Sequence, residues 1–138
     1  MKMRVLYSTK NGQMKTYAEA IGQAFSCLVS DIPPAYPCEK ERLVLIGLSL
    51  GGKLDDAVSR VCSQLTKDRA NNVALFIDGK PGSKAEADII NTLESAGTNV
   101  LKDQTLYVKC GIFGKGISIE KRQEIVDWVR KVQDVVSQ

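Results

Sequence analysis

Two kinds of apolar pattern alternate along the chain. Short unbroken runs are separated by longer stretches in which apolar positions return every three or four residues. The runs Arg4–Tyr7, Cys27–Asp31, Leu43–Leu48 and Val73–Ile77 read as strands. The most apolar, Leu43-Val44-Leu45-Ile46-Gly47-Leu48, has no polar face, as in the centre of a parallel sheet covered on both sides. Thr98 to Cys110 holds a further strand in one or two pieces, with Val100, Leu106 and Val108 as its apolar positions. Between the runs, Met14, Tyr17, Ala18, Ile21 and Phe25 share one helical face. Leu54, Ala57, Val58, Val61 and Leu65 share another, as do Ile89, Ile90, Leu93 and Ala96, and then Ile125, Trp128, Val129, Val132 and Val136. Ser83 and Glu86 have the spacing of a capping box, and Gly97 suits the residue that closes the same helix. Pro33, Pro34 and Pro37 rule out a regular helix between the second and third strands.

Strands that alternate with helices, without internal repeats, predict a doubly wound α/β domain with helices on both faces of a parallel sheet. The length of 138 residues fits one such domain, 1–138. In that architecture ligands bind at the carboxyl ends of the strands, where the winding reverses. The rule gathers four loops, 8–13, 49–53, 78–83 and 111–116, which hold eight of the eleven glycines and also Lys10, Lys53, Lys80 and Lys115. Their coincidence predicts an anion-binding edge. The sharpest piece is Ser8-Thr9-Lys10-Asn11-Gly12-Gln13, a polar turn between a strand and a helix N-terminus, which can hold a phosphate on backbone N–H groups. Neither a Walker loop nor G-x-G-x-x-G is present.

Composition narrows the chemistry. There is no histidine, which removes Ser-His-Asp and Cys-His catalysis, His-ligated zinc and His-based proton transfer. Cys27, Cys38, Cys62 and Cys110 form no C-x-x-C pair, so buried free thiols are expected rather than a metal site or a dithiol. The net charge is +3, with ten basic and seven acidic residues in 1–69 and nine of each in 70–138. That is no nucleic-acid footprint. No apolar run is long enough for a membrane span and no signal peptide precedes the first strand, so a cytoplasmic protein is expected. What remains is binding, electron transfer, or chemistry supplied by a bound cofactor.

The loop Thr9-Lys10-Asn11-Gly12-Gln13-Met14 resembles the phosphate loop of the flavodoxin family, [ST]-x-T-G-x-T, with Asn11 and Met14 in place of two threonines. Val44 to Gly52 is similar to the family's V-x-x-G-x-S/T segment, which leads into the first flavin-ring loop. Asp78 to Ser83 stands where the second ring loop would be, and Ser95-Ala96-Gly97-Thr98-Asn99-Val100 is similar to the segment before the last strand. The abbreviated second loop, and Cys110-Gly111-Ile112-Phe113-Gly114-Lys115, resemble the small flavodoxin-like proteins of anaerobic bacteria. The resemblance implies a five-stranded sheet in the order 2-1-3-4-5 and a non-covalently bound FMN. By it, Thr9, Lys10, Asn11, Gly12, Gln13 and Met14 would hold the phosphate, while Ser49, Leu50, Gly51, Gly52, Asp78, Gly79 and Lys80 would contact the ring.

The function so implied is electron transfer between redox enzymes. A small FMN-dependent reductase, its accessory subunit, or a binding module that has lost its flavin are the alternatives. Two departures from the family stand out. The ring loops lack the Trp or Tyr that usually sandwiches the flavin, and Lys10, Lys53 and Lys80 stand where flavodoxins are usually acidic. The lysines predict a raised reduction potential and partners with an acidic docking face.

Overall fold

A computed structural model of the chain describes residues 1–8, 12–51, 54–111, 114 and 116–138. The strands are β1 (Met3–Tyr7), β2 (Leu28–Asp31), β3 (Glu41–Ser49), β4 (Ala70–Asp78), β5 (Asn99–Val100) and β6 (Leu106–Val108). The helices are α1 (Gly12–Phe25), α2 (Asp56–Ser63), α3 (Lys84–Ala96) and α4 (Ile119–Val136). All strand pairs are parallel, in the order β2-β1-β3-β4-β5, and β6 also pairs with β4. The order expected for the first four strands is the one observed. The fifth position is filled by two short pieces, because residues 102–104 turn into a single 3₁₀ turn between them. Trp128 of α4 fixes that turn by donating its indole N–H to the Gln104 carbonyl.

Period-two alternation sends each central strand into two cores. Met3, Val5 and Tyr7 of β1 face one side together with Leu43, Leu45, Ala74 and Phe76, under α1 and α4. Leu6 faces the other side with Val44, Ile46, Leu48, Val73, Leu75 and Ile77, under α2 and α3. β3 and β4 are therefore apolar on both faces, which explains their unbroken runs. Arg42 Nη2 donates to the Val136 carbonyl at 3.1 Å, tying the end of α4 to the start of β3.

Helix boundaries follow capping chemistry more closely than apolar spacing does. α1 starts at Gly12, two residues before its first apolar position. α2 is shorter than its stripe: Asp55 caps it, accepting from Ala57 N at 2.8 Å, and Leu54 and Leu65 pack from outside the helix. Ser83 Oγ accepts from Glu86 N at 3.2 Å, but the Glu86 carboxylate does not close the box. It instead accepts from the Tyr107 hydroxyl at 2.9 and 2.8 Å, linking α3 to β6. Gly97 closes α3 with φ 115°, as expected of a left-handed cap. The segment after β2 contains a cis Ile32–Pro33 peptide and no helix.

One glycine sets a close approach. A Cβ on Gly47 would lie 2.4 Å from two Phe76 ring carbons and 2.6 Å from Met14 Sδ, all in a core closed to solvent. Gly47→Ala must therefore displace Phe76 or the first turn of α1. We expect a loss of about 1–3 kcal/mol, the usual cost of overpacking. Urea unfolding of the variant against the parent measures it.

Candidate functional site

The carboxyl ends of β1, β3, β4 and β6 are joined by hydrogen bonds. Ser8 N donates to the Gly47 carbonyl at 2.9 Å, and Leu50 N to the Asp78 carbonyl at 3.0 Å. Cys110 N lies 3.5 Å from Asp78 Oδ1, and Gly111 N donates to Gln13 Oε1 at 2.8 Å. The described parts of the four glycine-rich loops thus meet on one edge of the sheet. Thr9, Lys10, Asn11, Gly52, Lys53, Ile112, Phe113 and Lys115 lie outside the described residues.

α1 opens at this edge, at the point where the chain winds away from β1 toward β2 on one side and β3 on the other. The N–H groups of its first turn have no acceptor within the helix, and no acidic residue stands in that turn. Gly12 is exposed there. Gln13 is buried and its side chain is turned to Gly111, which no spacing in the sequence indicated. Met14 is closed to solvent, with its sulfur against the Gly47 approach, so it can offer an anion only its backbone N–H. The side chain serves packing.

At the end of β3, Ser49 pairs in register with Asp78 of β4. The Ser49 Oγ is buried and has no partner among the described residues. A buried hydroxyl without a partner costs about 1–3 kcal/mol, and an oxygen- or nitrogen-bearing ligand at this edge would remove that cost. Gly51 has open space where a Cβ would stand, and Gly79 and Lys80 follow Asp78, with Lys80 fully on the surface.

Asp78 is engaged with the end of β6. Its carboxylate lies beside the Cys110 thiol, and burial together with this negative neighbour pushes that thiol up to about 12. Tyr17 of α1 is pushed up to about 12 as well, by burial first and then by Cys110, Glu124 and Asp78. Cys62 is pushed up to about 12 by burial. Cys38 and Cys62 are buried thiols, whereas Cys27 and Cys110 are half-buried. The Asp78–Cys110–Tyr17 grouping was invisible in sequence because its members are 61 and 32 residues or more apart and share no motif. Among the described residues no group of three His, Cys, Asp or Glu is placed to hold a metal ion, and no helix is long and apolar enough to cross a membrane.

No protein-family model and no curated protein matches the sequence. Among the solved structures that match, two do so over nearly the full length of both chains. A flavodoxin from Streptococcus pneumoniae TIGR4 superposes with a TM-score of 0.66 at 10% identity, covering 96% of this chain and 97% of its own. A flavodoxin from the domain Archaea superposes with a TM-score of 0.65 at 18% identity, covering 100% of each chain. The chain has a flavodoxin-like fold.

Two outcomes test this geometry. Gln13→Ala should cost about 1 kcal/mol, the usual worth of one hydrogen bond, and should speed hydrogen exchange of the Gly111 amide, which NMR reads directly. For the raised thiols the native state keeps a proton that the unfolded chain releases near pH 9. Stability should be full below pH 9 and fall as pH rises toward 12. Urea midpoints measured from pH 7 to 10.5 should decline beyond pH 9, and less steeply in Cys110→Ala.

Proposed function

We propose that the chain binds FMN at the carboxyl edge of its sheet and carries electrons between redox enzymes. The observation that carries this reading is the meeting, at the winding reversal, of the positive N-terminal end of α1 with the buried Ser49 hydroxyl, which has no partner among the described residues. The full-length likeness to two flavodoxins, which shows the fold, adds to it. The residues present fit the cofactor: a helix N-terminus with no acidic residue in its first turn stands where a phosphate would bind, and open backbone stands at Gly51.

When bound, the isoalloxazine supplies the electron chemistry. The backbone N–H groups of Gly12, Gln13 and Met14, with Thr9, Lys10 and Asn11, would hold the phosphate, favoured by the helix dipole. Ser49, Leu50, Gly51 and Gly52, with Asp78, Gly79 and Lys80, would contact the ring. The Gln13–Gly111 bond holds the start of α1 against the loop after β6, so the donors are set before the ligand arrives. Lys80, with Lys10 and Lys53, lowers the cost of adding negative charge to the ring and raises the reduction potential. The same lysines favour a partner with an acidic docking face.

Refolding or titrating the protein with FMN should give a yellow complex with quenched flavin fluorescence, and Ser49→Ala should weaken binding about tenfold. Lys80→Glu should lower the potential, by an amount on the order of tens of millivolts. A protein that stays colourless with excess FMN would overturn the reading. It would favour a binding module of this fold without flavin, consistent with the core position of Met14 and the absence of Trp or Tyr from the ring loops.

A further inference from the structure

A cavity lies on the face of the sheet covered by α2. Parallel strands usually join through a helix that packs on the sheet. The 32–40 crossover from β2 to β3 has three prolines and forms none, so part of that face over β1 has no helix above it. The cavity of about 450 Å3 fills the gap, within the range of about 300–1,000 Å3 of small-ligand sites. Part of the lining is an apolar wall made by Leu6, the crossover prolines, Val61 and Leu65. The lining also carries Arg60, Gln64 and Arg69, two of them next in the chain to Val61 and Leu65.

Charge at this cavity is one-sided. Its lining includes no carboxylate, and among the described residues neither Arg60 nor Arg69 is paired to one. Cys38, also in the lining, has the Arg4 guanidinium near it, whose charge works against the upward push that burial gives the thiol. Arg4 is 3% exposed, its Nη2 donates to Ser30 Oγ at 3.1 Å, and its Nε has no partner. Glu41, buried at the start of β3, is the acid that acts on Cys38 alongside Arg4 and Arg69. Within the lining itself the only charges are those of Arg60 and Arg69, set among apolar side chains.

We propose that this cleft binds a small organic anion, a monocarboxylate with an aryl or branched apolar body. The guanidinium groups of Arg60 and Arg69 pair with the carboxylate, whose planar oxygens match their donors. The body of the ligand displaces water from Leu6, Val61, Leu65 and the prolines. A bare inorganic anion would leave that wall wet, and a neutral body would leave the arginines unpaired. The site is separate from the glycine-rich edge and does not depend on flavin binding there.

The test uses the full-length protein, isotope-labelled, titrated with 4-phenylbutyrate, 4-phenylbutanol and inorganic phosphate and followed by amide NMR. Phenylbutyrate should shift the Leu6, Cys38, Val61 and Leu65 amides saturably and bind at least tenfold tighter than the alcohol or phosphate. Arg60→Ala, which removes an exposed side chain, and Arg69→Ala should each weaken it at least fivefold. Ala57→Phe, which narrows the cavity, should abolish the shifts while the urea midpoint shows the variant folded. Equal binding of acid and alcohol, phosphate binding as tight as the acid, shifts confined to the glycine-rich edge, or no saturable shift at millimolar ligand would each overturn the proposal.

Discussion

The rest of the structure is referred to the space in front of Gly47. Phe76 and Met14 meet where a side chain on that residue would stand. Through Met14 the approach fixes the first turn of α1. Through Phe76, which packs edge-on against Trp128 at 5.8 Å, it fixes α4. Trp128 in turn anchors the turn that splits the outer strand. The helix whose donors open at the winding reversal is therefore located by contact with the centre of the sheet, rather than by its own loop.

Polar groups at the two ends of this packing are treated differently. At the carboxyl edge most are matched within the protein: Ser8 with Gly47, Leu50 with Asp78, Gly111 with Gln13. The exception among the described residues is the Ser49 hydroxyl at the end of β3. On the α2 face the unmatched atoms are Arg4 Nε and Glu41 Oε2. A fold that satisfies its buried polar atoms elsewhere leaves these as points where a ligand would gain most.

The strands were legible because burial on both faces writes an unbroken run, and Leu43–Leu48 and Val73–Ile77 carry it. The α3 caps were legible because Ser83 and Gly97 act within a few residues of themselves. Other features were not, since each depends on a partner distant in sequence. Glu86 prefers Tyr107 to its own helix end, Gln13 reaches Gly111, and Asp78 engages Cys110. Met14 was legible as well: it shares the apolar face of the first helix in the sequence, and in the structure it is closed to solvent beside Phe76. The cleft above β1 was half legible: the prolines excluded a helix, but only the tertiary arrangement brings Arg60 and Arg69 to the gap.

The broken outer strand has a consequence for behaviour in concentrated solution. A long, unpaired strand border is a template on which further chains can add by backbone hydrogen bonding. Here the nine-residue strands β3 and β4 are enclosed, while the borders are β2, with four residues, and the two- and three-residue pieces β5 and β6. The 3₁₀ turn held by Trp128 interrupts one border where a continuous strand would otherwise run. A sheet apolar enough to aggregate is in this way given margins too short to recruit a neighbour.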